Sequence, residues 1–136
     1  PTQIDRGERF DVGICMETLE HIAPDRLEDY VKALSEIVTG YLFVTVPNEK
    51  GAAFLGKYVV KMITSWNPEP YTLKELYYAT VGQTHKIARS GHKGFDYCEV
   101  VRLISKHFQT VVLRSIPFRV LPIQLSPAIG IIATSR

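Results

Sequence analysis

No apolar run in the 136 residues approaches the ~20 needed for a bilayer-spanning helix. Cysteine is scarce, and Cys15 and Cys98 do not make a disulfide scaffold, so a reducing, cytoplasmic setting is expected. The opening PTQIDRGERF lacks the basic head, apolar stretch and small-residue cleavage site of a secretory signal. Repeats and low-complexity tracts are missing as well. With 46% hydrophobic and 22% charged residues, the chain is neither disordered nor fibrous. What remains is one domain, residues 1–136, with room for a single modest core.

Charge is balanced overall, at 16 Lys/Arg against 14 Asp/Glu, but not locally. Residues 1–49 hold four basic and ten acidic side chains, whereas residues 50–93 hold seven basic and two acidic. An acidic first third beside a basic middle suggests two surfaces with different partners.

Phe10–Met16 (FDVGICM) is short and apolar between charged flanks, as expected of a buried strand. Pro24-Asp25 then opens a helix whose apolar face is Leu27, Tyr30, Val31, Leu34 and Val38, with Gly40 as its stop. Tyr41–Val46 (YLFVTV) reads as a second strand, ended by Pro47-Asn48. Strand, helix and strand in about forty residues form a right-handed βαβ unit with two parallel strands. From Gly51 to Ser65, Leu55, Tyr58, Val59, Met62 and Ile63 form one stripe, with Lys57 and Lys61 off it. Asn67-Pro68-Glu69-Pro70 breaks this helix. Thr72 and Glu75 form a capping box for a short helix. Residues 82–94 read as a loop. Asp96 with Glu99 opens a last helix carrying Tyr97, Val100, Val101, Ile104 and Phe108. Thr110–Ile116 and Ala128–Thr134 are two further strands, most simply antiparallel neighbours.

Ligands of open α/β sheets bind outside the carboxyl ends of parallel strands. Glu17, Glu20 and His21 follow the first strand there, and Pro47 and Asn48 end the second. These residues carry a resemblance. FDVGICMETLEHI, a helix, and GYLFVTVPN resemble the second half of a class I S-adenosylmethionine-dependent methyltransferase, in the branch of the ubiquinone-biosynthesis O-methyltransferases and related small-molecule enzymes. The matching positions are Phe10, Asp11, Val12, Glu17, Leu19, Glu20, His21, Pro47 and Asn48. GHKGFDYCEVVRLISKHF, residues 91–108, resembles the family's helix before its final antiparallel strand pair.

The resemblance implies an α/β fold: a partial Rossmann-like methyltransferase sheet, parallel strands followed by an antiparallel pair, with a basic helical insertion over residues 50–93 covering the acceptor. It implies methyl transfer from S-adenosylmethionine to a small-molecule acceptor, at oxygen. Cys15, Met16 and Glu17 would lie against the methionine part of the cofactor. His21 would be the general base, since methyl transfer to a hydroxyl needs a proton removed. Pro47, Asn48, Tyr58 and His92 would face the acceptor. The family's glycine-rich turn and its ribose-binding acid cannot be placed in this sequence. The expectation is therefore a carboxyl-terminal portion of a larger methyltransferase, inactive by itself and binding the cofactor weakly or not at all. A non-enzymatic module derived from the same fold is the alternative.

Glu17, Glu20, His21 and His92, with Phe95-Asp96-Tyr97 downstream, also resemble the cluster of the metal-dependent RNA 2′-O-methyltransferases that modify small-RNA 3′ ends. Because Glu-x-Leu-Glu-His recurs in metal-free branches, no metal is assigned. Trp66, Tyr71, Tyr77 and Tyr78 beside Lys74, Lys86, Arg89 and Lys93 suit stacking on RNA, but a pI of 8.7 does not favour nucleic acid. The amphipathic stretch 52–65 suits an apolar acceptor, an anionic membrane surface or the parent domain. A sheet lacking its first strands leaves an unpaired edge, which invites a homodimer.

Overall fold

The computed structural model describes residues 7–64, 70–90, 93–109 and 111–136. The break expected at Asn67-Pro68-Glu69, together with Ser65, Trp66, His92 and Thr110, lies outside the described residues. The elements run β1 (Phe10–Met16), α1 (Pro24–Ile37), β2 (Val38–Pro47), α2 (Gly51–Thr64), α3 (Leu73–Thr80), α4 (Tyr97–His107), β3 (Val111–Ile116) and β4 (Ala128–Thr134). Short 3₁₀ turns occupy Leu19–His21, Thr84–Lys86 and Ile123–Leu125.

The four strands form one mixed sheet in the order β1-β2-β4-β3. β1 and β2 are parallel and the other pairings antiparallel, which bears out the α/β reading. β4 therefore sits between β2 and β3, and its residues are the most deeply covered of any strand. The chain divides into two compact units: Pro1–Val46, Cys98–Leu113 and Gly130–Arg136 in the first, Pro47–Tyr97 and Arg114–Ile129 in the second.

In the first unit, Pro24 enters α1 at the helix start, where its missing N–H costs nothing. Leu27 and Val31 of α1, Leu42 and Val44 of β2, Ile131 and Ala133 of β4, and Val100, Leu103, Ile104 and Phe108 of the α4 segment are buried. They make up the core of this unit. Two expectations fail here. Gly40 does not stop α1, which ends at Ile37, because the chain passes directly into β2. A Cβ at Gly40 would stand 2.2 Å from the Asp11 carbonyl oxygen, so glycine is needed for the close approach of β2 to β1.

The second correction concerns β1. Expected as buried, it lies at the edge of the sheet, and only Cys15 along it is buried. Phe10, Val12, Ile14 and Met16 alternate onto an open face, Ile14 at 68% exposure. The parallel register sets Val12 beside Tyr41 and Ile14 beside Phe43, and both of those rings are exposed too. Helices on both faces normally cover parallel strands; among the described residues this apolar face has no such cover.

In the second unit, Phe54, Ala79 and Ile87 form a small core, with Tyr58, Tyr71, Leu76 and Tyr78 packed against it. The capping box is as expected: the Thr72 hydroxyl accepts from the Glu75 N–H, and the Glu75 carboxylate accepts from the Thr72 N–H. The stripe read along α2 is corrected. Phe54 and Tyr58 face the core, whereas Leu55, Val59, Met62 and Ile63 are exposed. The expected loop at 82–94 contains the Thr84–Lys86 turn and a Ser90–Lys93 bridge.

Candidate functional site

Cys15, Met16, Glu17 and His21 belong to the first unit, and Pro47, Asn48 and Tyr58 to the second.

At the carboxyl end of β1 the backbone turns sharply. Glu17 has φ +47°, a left-handed conformation that costs a residue with a side chain free energy. Its N–H donates to the Thr45 carbonyl at 3.1 Å and to Thr45 Oγ1 at 3.2 Å. The Thr18 hydroxyl donates to the Met16 carbonyl at 2.9 Å. These bonds fix the turn and lead into the 3₁₀ turn at Leu19–His21, which buries Glu20 to 1% exposure. His21 Nε2 lies 3.8 Å from Glu20 Oε1, while the imidazole side chain is 56% exposed. The turn thus displays an imidazole on a fixed loop backed by a buried carboxylate.

Cys15 is part of the core. Burial pushes its thiol up from the ordinary value, and a hydrogen bond with Tyr30 pulls the other way. Met16 faces outward on the open sheet face. These residues offer one wall and no cradle. By themselves they do not fit the whole of S-adenosylmethionine, since nothing on this turn supplies ribose hydroxyls with an acidic partner.

The second unit holds a cavity of about 210 Å³ at the carboxyl end of β2. Asn48, Lys50, Gly51, Thr80, Val81, Gly82, Tyr97 and Gln124 line it. That volume is below the ~300–1,000 Å³ of pockets that engulf a whole ligand, so it suits one group of a substrate. Asn48 is 1% exposed, and its polar atoms are used inside the chain. Its Nδ2 donates to the carbonyls of Ser126 at 2.9 Å and Gln124 at 3.4 Å, and its Oδ1 accepts from the Lys50 N–H at 3.3 Å. Asn48 therefore shapes the cavity by holding the 123–126 segment in place. Lys50 Nζ lies 2.6 Å from Asp96 Oδ1 and 4.6 Å from the Tyr97 ring centroid, which fixes a cation on the wall. Gly51 and Gly82 both have left-handed φ, +73° and +76°, and a Cβ on either would meet open space or only the Gln124 carbonyl. They leave the cavity wide and its walls as bare backbone.

Pro47 is buried and ends β2, turning the chain toward this cavity. Tyr58 is placed elsewhere, in an aromatic cluster with Phe54 at 5.8 Å and Tyr71 at 5.5 Å between ring centroids. The basic side chains of the insertion lean on its tyrosines: Lys93 over Tyr71, and Lys74 and Lys86 over Tyr78. Sequence reasoning missed Lys50, Thr80, Gly82, Tyr97 and Gln124 as cavity residues. The two isolated glycines were the usable signal. Among the described residues, no three His, Cys, Asp or Glu side chains converge to hold a metal ion, and no helix is long and apolar enough to cross a membrane.

No protein-family model matches this chain, and no curated protein does. Solved structures do. The methyltransferase domain of a bacterial CtHen1 superposes with a TM-score of 0.55 at 17% identity, over 96% of this chain and 56% of that one. The small RNA methyltransferase HEN1 gives 0.55 at 17% identity, over 96% of this chain and 14% of that one. A proposed O-methyltransferase of Nostoc punctiforme PCC 73102 gives 0.53 at 14%, over 98% and 33%. At such identities the likeness establishes the fold alone: a mixed, Rossmann-like α/β sheet similar to that of these methyltransferases. The chain spans 56% or less of each of these proteins.

Proposed function

We propose that the chain is the acceptor-side portion of an S-adenosylmethionine-dependent methyltransferase that acts on a small molecule, at oxygen. The observation that carries this reading is the cavity at the carboxyl end of β2, on a sheet with a methyltransferase fold. Asn48 holds its shape, Tyr97 and Val81 provide apolar wall, and Lys50 a fixed cation. His21 is the base in this proposal, its ring exposed and facing the buried Glu20 carboxylate. Cys15, Met16 and Glu17 contribute one wall of the cofactor site, and a complete site needs the glycine-rich half of the fold.

Calorimetric titration of S-adenosylmethionine tests this, with the 136-residue chain and with any longer product of its reading frame. Binding is expected only in the longer product. If both are folded and neither binds, the enzyme reading fails and a non-enzymatic module stands in its place. A second reading, RNA 2′-O-methylation, draws on the small RNA methyltransferase HEN1 among the structural neighbours and on the Glu20–His21 pair. Its mark would be divalent-metal-dependent methylation of an RNA 3′ end by the same longer product; small-molecule activity indifferent to chelator would exclude it.

A further inference from the structure

Helix α2 has two unlike faces. Phe54 and Tyr58 pack with Tyr71, at 5.1 and 5.5 Å between ring centroids to that tyrosine. On the other side Leu55, Val59, Val60, Met62 and Ile63 are all exposed, Ile63 to 79%. Positions 55, 59, 62 and 63 have the spacing of one helical face. The helix contains no acidic residue, and Lys57 is drawn aside by an ion pair with Glu49. A contiguous aliphatic stripe of this kind marks an interaction surface.

The chemistry of the stripe selects its occupant. Protein interfaces are anchored by Trp, Tyr and Arg within a rim of hydrogen-bonding groups. This stripe is aliphatic apart from one thioether, so it offers no side-chain hydrogen bond that could specify a partner. Its 14 residues extend about 21 Å, too short to span a bilayer but suited to lying in its interface. Charge points the same way. The second unit, residues 47–97 and 114–129, carries nine Lys/Arg against four Asp/Glu, a net of +5. Such an excess is attracted to anionic headgroups.

We propose that α2 docks this unit on an anionic lipid surface, with Leu55, Val59, Met62 and Ile63 in the acyl boundary and the basic unit above them. This does not depend on the methyltransferase reading.

The test is co-sedimentation of the 136-residue protein with phosphatidylcholine vesicles and with vesicles that also contain phosphatidylglycerol. The protein sediments with the mixed vesicles, less with phosphatidylcholine alone, and less again as salt rises. Val59→Glu combined with Ile63→Glu weakens binding by about tenfold or more at an unchanged far-ultraviolet spectrum. Leu55→Gln combined with Met62→Gln is a milder second pair and weakens it in the same direction. A folded protein that ignores both vesicle types overturns the proposal, and so does vesicle binding that neither pair alters. Self-association lost in the same variants, without vesicle binding, would assign the stripe to a second copy and also overturn it.

Discussion

Asn48 donates its side-chain amide to the Ser126 carbonyl at 2.9 Å, joining the end of β2 to the segment that leads into β4. Ser126 is itself fully buried; its hydroxyl accepts from the Ile116 N–H at 3.0 Å. Removing the amide leaves buried carbonyls unsatisfied, at about 1–3 kcal/mol. Asn48→Ala is expected to lose about that much in urea unfolding, and Asn48→Asp more, because it sets an acceptor against acceptors. A loss below ~0.5 kcal/mol for Asn48→Ala would show that the amide does not hold this segment.

Two glycine substitutions should have opposite signs. A Cβ at Gly40 collides with the Asp11 backbone, whereas one at Gly56 meets nothing within 4 Å. Gly40→Ala is expected to destabilise by about 2 kcal/mol or more, since strand backbone must move. Gly56→Ala removes a flexible residue from inside α2 and should stabilise by about 0.5–1 kcal/mol. Thermal unfolding of the pair decides it; equal shifts would contradict the close β1–β2 approach.

Thiol chemistry separates the two cysteines. Cys15 is buried with its thiol pushed up by burial, while Cys98 is exposed. At about pH 8, iodoacetamide should modify Cys98 at least tenfold faster, with Cys15 reacting only after denaturation. Peptide mapping by mass spectrometry reads the order directly, and early modification of Cys15 would place β1 outside the core.

Acid should loosen the start of α3. Lys93, 2.8 Å from Glu75, holds that carboxyl down to about 2, helped by the hydrogen bond from the Thr72 N–H. A depressed folded-state value stabilises above the ordinary carboxyl range and is lost as pH falls toward the folded value. The expected loss lies between about pH 4.5 and pH 2 and is small, because the pair is solvent-screened. Glu75→Gln should flatten that part of the stability–pH curve. A wild-type curve of the same shape would remove the pair from the account.

The elements with strong local signals were readable: the Pro24 helix start, the Thr72–Glu75 box and strand Ala128–Thr134 lie where spacing and caps predict. What escaped depended on distant parts of the chain. FDVGICM is equally apolar whether one of its faces is covered or both, so the openness of β1 was not legible. A glycine between a helix and a strand is consistent with a C-cap and with close strand approach, and Gly40 is the second kind. In α2 nearly every position is apolar, so periodicity could not choose between the Phe54 and Ile63 sides. Asn48 was found through its place at a strand end, but its role as a clamp was not. Tyr97, Gly82 and Gln124 reach the cavity from segments far apart in sequence, and no local pattern joins them.

The strand order has a consequence for synthesis. β4, the last of the four described strands along the chain, is the one that fills the place between β2 and β3. Until it emerges, β2 and β3 each wait with an unfilled side, and among the described strands β1–β2 is the pair that can form early. Emergence of β4, rather than local pairing, therefore sets when these four strands can close, and a chaperone acting before that point would find both waiting strands exposed.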